Sequence, residues 1–127
     1  MRTVLIVDAA NVIGSRPDGW WRDRLGAARR LRDSLAGLGP LSFDAEKAAD
    51  AEIVLVVEGA ARSLEGIEGV RVVSAPRSGD DAIVAEVGPA DTDIRYVVVT
   101  ADRELRARCQ ARGADVVGPR FLLDRLG

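Results

Sequence analysis

The run Val4-Leu5-Ile6-Val7 ends abruptly at Asp8, with Asn11 three residues further on. An apolar, β-branched stretch without polar alternation fits a parallel strand covered on both faces, from which charge is expelled except at the mouth. The pattern recurs twice: Ile53-Val54-Leu55-Val56-Val57 runs into Glu58, and Tyr96-Val97-Val98-Val99-Thr100 reaches Asp102 two residues later. In open α/β sheets, ligands bind outside the carboxyl ends of the strands. Three strands that each deliver an acid to that edge mark a candidate cation site.

Apolar runs at 3–7, 53–57, 70–74, 95–99 and 114–117 alternate with helical patterns, as βαβ units and a parallel sheet require. Right-handed crossovers then cover both faces with helices, giving an α/β fold of three layers around a mainly parallel sheet of about five strands. After the turn-like Ser15-Arg16-Pro17-Asp18-Gly19, leucine and alanine at helical spacing predict a helix over 20–38 that stops at Gly37 and Gly39-Pro40. Further helices are predicted from Asp80 to Val87, from Asp102 to Arg112 before a left-handed Gly113, and from Pro119 to Leu126. Residues 41–52 fit either a loop or a short helix. A chain of 127 residues fits one domain, 1–127, able to bury roughly two thirds of its unfolded surface.

Composition narrows the chemistry. One cysteine, Cys109, forbids an internal disulfide and reads as a small apolar residue in its helix; without histidine the common zinc arrangements are absent. A hydrolase built on this chain works without imidazole, leaving carboxylates, water and a metal for proton abstraction and charge neutralisation. The apolar runs are too short to cross a bilayer, and the N-terminus does not read as a signal peptide, so a cytoplasmic protein without a membrane partner is expected. The formal charge of −2 is unevenly spread. Six arginines between Arg16 and Arg32 face Asp18 and Asp23, whereas seven acids between Ser42 and Val70 face only Lys47 and Arg62. A basic stripe beside an acidic mouth suits a protein that holds phosphates near a carboxylate-bound metal; two solvated helix faces give the same pattern.

Ser78-Gly79-Asp80-Asp81 opens the helix after the third strand with two adjacent acids. One aspartate at a helix start caps free N–H groups and meets a favourable dipole, which accounts for Asp80 or Asp102 singly. It does not account for a pair beside Asp8 and Glu58. Carboxylates converging within about 5 Å repel by roughly 3 kcal/mol per pair at an effective dielectric of 20. Oxygen donors alone favour Mg2+ or Mn2+ as the cation that relieves this repulsion.

Asp8 with Asn11 in Val-Asp-x-x-Asn-Val-Ile, the strand-end acid Glu58, Gly79-Asp80-Asp81 at a helix start, and Val-Val-Thr-x-Asp-Arg-Glu-Leu over 98–105 together resemble the PIN-like NYN domains, in particular the YacP-like ribonuclease subgroup. The likeness covers nearly the whole chain, with the motifs in order. It implies a Rossmann-like three-layer domain with a metal-dependent nuclease site at the strand mouths. Asp8, Asp102 and one or both of Asp80 and Asp81 would hold one or two divalent ions, with Glu58 a more distant ligand or an acceptor behind them.

Around these acids, Asn11 either orients Asp8, a water or a phosphate oxygen, or bonds to its own turn. Thr100 reaches the backbone of the strand–helix turn or a substrate phosphate. Arg103 is placed to meet a carboxylate or the scissile phosphate in a fork. Of the tandem Trp20 and Trp21, one is expected to anchor the helix and the other to offer a platform for a base. Arg22 and Arg29, about two turns apart on one helix face, are placed to track phosphates. These residues predict a metal-dependent ribonuclease. A catalytically weak RNA-binding module of the same fold, or a nucleotide phosphohydrolase, are the alternatives, and a homodimer paired through an exposed apolar helix face is compatible with the pattern. Dinucleotide binding is disfavoured, because Asp8-Ala9-Ala10-Asn11 replaces a glycine-rich phosphate loop. A haloacid-dehalogenase-type phosphatase needs an aspartate where Ala10 stands.

Overall fold

The computed structural model describes residues 2–42, 50–89 and 93–126. Strands β1 (Arg2–Asp8), β2 (Ala51–Val57), β3 (Val70–Ser74), β4 (Ile94–Val99) and β5 (Asp115–Val117) form one sheet in the order β3-β2-β1-β4-β5, every pair parallel. Each apolar run predicted from the sequence is thus a strand. β2 begins two residues earlier than its run, so that the ambiguous 41–52 segment ends in strand, while its residues 43–49 lie outside the described residues.

Alternate residues of the strands feed two cores. Leu5, Val7, Leu55, Val57, Val97 and Val99 pack with α1 (Ala9–Gly14), α2 (Arg24–Ala36) and α5 (Pro119–Leu126) on one face. Val4, Ile6, Val54, Val56 and Val98 pack with α3 (Gly79–Glu86) and α4 (Arg103–Ala111) on the other. That is the three-layer arrangement expected of a sheet whose strands are apolar on both sides. Burying each of the large aliphatic side chains contributes about 1.5–3 kcal/mol, which holds the strand ends in register. Left-handed backbone at Gly113 closes α4 as expected.

Two local departures matter for the site. The helix predicted over 20–38 is split: a 3-10 turn at Trp20–Arg22 precedes α2, because Asp23 leaves helical backbone (φ −152°, ψ 80°) and its Oδ1 accepts from Gly26 N at 2.9 Å. Asp23 therefore starts a new helix as its N-cap, and Arg22 and Arg29 do not share a helix face. The second departure is α1, which begins at the residue after β1 and is six residues long. It lies directly over the end of β1, where Asp8 caps it.

Candidate active site

Going from β1, the chain places β2 and β3 on one side and β4 and β5 on the other, so the strand order reverses at the β1–β4 seam. Such switch points open a crevice at the carboxyl ends of the strands. Asp8 ends β1 and Thr100 follows β4, and the two meet across that seam: Thr100 Oγ1 donates to Asp8 Oδ2 at 2.9 Å. Among the described residues only Thr3, Asp8 and Thr100 are buried polar side chains, with Thr100 at 0% exposure. Two of the three therefore stand at this one point, bonded to each other.

The bonds continue outward from this pair. Asn11 N donates to Asp8 Oδ1 at 3.4 Å, and Asn11 Oδ1 accepts from Ala101 N at 2.8 Å. The Asn11 side chain thus ties α1 to the turn before α4, and among the described residues its NH2 group donates to no acceptor. Thr100 Oγ1 also accepts from Asp102 N at 3.2 Å, and Asp102 Oδ1 caps α4 by accepting from Leu105 N at 3.0 Å. The capping role of Asp102 occupies one oxygen and leaves the other. Thr100, fully buried, acts on Asp8 and on the α4 turn; it does not reach a substrate, contrary to one of its predicted roles.

On the β2 side, Glu58 Oε2 accepts from Gly79 N at 2.9 Å, fastening the start of α3 to the end of β2. Asp80 and Asp81 both fall in the first turn of α3, but only one turns toward the seam. Asp81 is drawn outward by Arg108 Nη2 at 2.8 Å, with its side chain 90% exposed. Asp80 accepts no hydrogen bond among the described residues. Its carboxyl is held above the ordinary range, first by partial burial and then by Asp102, against the opposing pull of Arg108.

Asp8 is the group most displaced. Burial pushes its carboxyl up to about 6, the Thr100 and Asn11 hydrogen bonds hold it down, and the charges of Asp80 and Glu58 raise it further. Asp8 therefore feels Asp80 and Glu58, and Asp80 in turn feels Asp102 and, more weakly, Asp81, whose own carboxylate is paired with Arg108 at the surface. The donor chemistry of this set, carboxylate oxygens with an amide nearby, fits a hard divalent cation. Cys109 is buried in the core and its thiol is pushed up by that burial, so it adds no soft ligand. Among the described residues no three His, Cys, Asp or Glu side chains stand close enough together to hold a metal ion as they are placed.

Two cavities flank α1 and share Ala10 in their walls. The larger, about 710 Å3, runs past Asn11 and Ala101 to Arg16, Arg120 and Leu123. The smaller, about 320 Å3, lies between Glu58 and Trp20, with Arg24 and Arg77. Trp20 is half-buried and Trp21 is 55% exposed, with their rings edge to face at 5.9 Å. The Arg24 guanidinium lies over Trp20 at 5.5 Å and that of Arg22 over Trp21 at 5.9 Å, exposed contacts each worth about 0.5–1 kcal/mol. Arg29 is exposed on α2 and Arg103 is exposed at the first position of α4, beside Asp102. Of the arginines at these cavities, Arg16 and Arg24 belong to the basic stripe between Arg16 and Arg32; Arg77 and Arg120, like Arg108, carry no local signal in the sequence beyond the general excess of arginine.

Comparison with known proteins bears on the fold. The crystal structure of Rae1 (YacP) from Bacillus subtilis, W164L mutant, matches 99% of this chain and 75% of its own length, with a TM-score of 0.69 at 18% identity. That likeness shows a shared α/β architecture. No family model and no curated protein matches the sequence. Among the described residues no helix is long and apolar enough to cross a membrane.

Proposed function

We propose that this protein is a metal-dependent ribonuclease that hydrolyses phosphodiester bonds at the β1–β4 seam. The observation that carries the reading is Asp8: an acid buried at the topological switch point, held by Thr100, and pushed up to about 6 by burial and by the acids around it. A structural carboxylate is more cheaply placed at the surface, and charge crowding of this kind clusters at functional sites. The fold shared with Rae1 (YacP) and the motif resemblance both support the same reading.

Asp8, Asp80 and the uncommitted oxygen of Asp102 would hold the cation, with Glu58 behind them fixing the start of α3. A bound Mg2+ or Mn2+ supplies Lewis acidity and a water of lowered pKa. The protein supplies the rest. Thr100 fixes the Asp8 carboxylate so that one orientation is presented to the crevice. The free NH2 group of Asn11 donates to a phosphate oxygen or to the attacking water. Arg103, exposed and without a carboxylate partner among the described residues, meets developing negative charge on the phosphate. Arg16 and Arg120, in the larger cavity, carry the substrate backbone away from the site.

The test is cleavage of end-labelled RNA by the purified protein in Mg2+ or Mn2+, with Asp80→Asn and Asp102→Asn as controls. Cleavage is expected to fall at least about 100-fold in either variant, a loss in the range seen for removing a metal-orienting or acid–base group. RNA left intact by the native protein in both metals, or cut equally by both variants, would refute the reading. The same samples carry DNA and nucleotide substrates, which separate a ribonuclease from a nucleotide phosphohydrolase.

A further inference from the structure

The cavity between Trp20 and Glu58 is not needed to hold a cation or to bind a phosphate, yet it opens beside the acids. Ala9, Ala10, Ile13, the half-buried Trp20 and Glu58 line it. Arg24 and Arg77 complete the lining, and neither has a carboxylate partner among the described residues. At about 320 Å3 it lies at the small end of ligand-sized sites, which run from roughly 300 to 1,000 Å3. An apolar slot with one aromatic ring, one acceptor and two cations at its rim is complementary to a single nucleotide unit: a π-face, an N–H edge and the phosphates on either side.

We propose that this cavity takes one unpaired nucleobase of the substrate next to the scissile phosphate, stacked on Trp20 with an exocyclic amino group donating to Glu58. The proposal rests on the ribonuclease reading for the identity of the ligand and extends it to substrate form. A base held in a slot walled by α1 and the 3-10 turn cannot remain paired, so the protein selects single-stranded RNA at that position. Glu58 also sets a preference. One of its oxygens is taken by Gly79 N, and the other is an acceptor only, so it favours adenine, cytosine or guanine and disfavours uracil, whose edge presents carbonyl oxygens around a single N–H. The Arg24 guanidinium now over the indole makes a contact weaker than base stacking, so an incoming base displaces it toward a phosphate. Splitting of the 20–38 helix at Asp23 is what makes the slot, because a continuous helix would carry Trp20 around the α2 axis. The left-handed backbone of Gly19, at φ 79°, turns the chain into the 3-10 segment that brings the ring against Gly14.

The experiment measures binding, with cleavage read separately. Short single-stranded RNAs carrying one abasic nucleotide, scanned through the sequence, are titrated by fluorescence anisotropy into Asp8→Asn protein, alone and combined with Trp20→Ala, Trp20→Phe or Glu58→Gln. At one position the missing base is expected to weaken binding roughly 5- to 100-fold, the range that stacking on one aromatic ring implies. Trp20→Ala is expected to weaken the intact RNA by a similar factor and to erase the abasic penalty, while Trp20→Phe keeps most of it. A duplex of the same sequence is expected to bind more weakly than the single strand, and Glu58→Gln to relax discrimination against uridine. An abasic penalty that persists in Trp20→Ala, or none at any position, overturns the proposal even where the native protein cleaves RNA. The predicted pattern without cleavage by the native protein supports the pocket and overturns the nuclease reading alone. Absence of RNA binding by every form overturns both.

Discussion

Replacing Asp8 with asparagine is expected to make the metal-free protein more stable at neutral pH, although it removes the central acid of the site. The displacement of its carboxyl from 3.8 to about 6 corresponds, at 1.36 kcal/mol per pH unit, to about 3 kcal/mol. The sign follows from which state binds the proton. Below about pH 4, Asp8 is protonated in both the folded and unfolded chains and contributes nothing. Between about pH 4 and 6 the folded protein keeps a proton that the unfolded chain releases, so stability falls as pH rises. Above about pH 6 both states are ionised and the full cost of the buried charge stands. Asparagine keeps the acceptor for Asn11 N and can donate to Thr100 Oγ1, but then leaves the hydroxyl proton without its acceptor, a loss of about 1 kcal/mol. The Asp8→Asn protein is therefore expected to be about 2 kcal/mol more stable than the native protein at pH 8 and about 1 kcal/mol less stable at pH 3. Urea unfolding in chelator at four pH values between these limits measures both, with unchanged m values showing that only stability has moved. A stability difference that does not change with pH would refute the reasoning, since it would mean that Asp8 carries no burial penalty.

The remaining predictions concern neighbouring groups. Thr100→Val removes the donor to Asp8 and the acceptor for Asp102 N without leaving a cavity, and is expected to cost about 2 kcal/mol in denaturant unfolding, more at pH 8 than at pH 5 because the hydroxyl favours the ionised Asp8. Asp81→Asn is expected to cleave RNA within about threefold of the native rate while Asp80→Asn loses at least about 100-fold, since Asp81 faces Arg108 and solvent; equal losses would show that both acids work at the site. Gly26→Ala places a methyl group against the Asp23 carboxylate and displaces the cap of α2, for an expected loss of about 1 kcal/mol in thermal or denaturant unfolding.

Much of this molecule is legible in the sequence because its strands are buried on both faces. Uninterrupted runs such as Val4 to Val7 and Val97 to Val99 leave no other economical structure, and the acids at their ends mark the sheet edge. The apolar pattern marks β2 only from Ile53, because Ala51 and Glu52 lie at its exposed end, where burial imposes no pattern. The helix α1 is too short to show a helical period. The break at Asp23 was hidden because a good N-cap inside a leucine-rich stretch looks like an ordinary polar position until Gly26 N is seen bonded to it. Asp80 and Asp81 are adjacent, so only the roughly 100° that separates consecutive helical residues, and Arg108 from another helix, tells them apart. The Trp20–Glu58 cavity joins residues far apart in the chain, a contact that no local pattern encodes.

The central claim is that the acids at the β1–β4 seam form a divalent-cation site through Asp8, and calorimetric titration of Mn2+ in buffers of different ionisation enthalpy tests it most directly. With Asp8 pushed up to about 6, binding to the native protein is expected to release a substantial fraction of a proton at pH 5.5 and close to none at pH 8, and to be lost in Asp8→Asn. Saturable Mn2+ binding that survives in Asp8→Asn, or that releases the same number of protons at both pH values, would contradict the account.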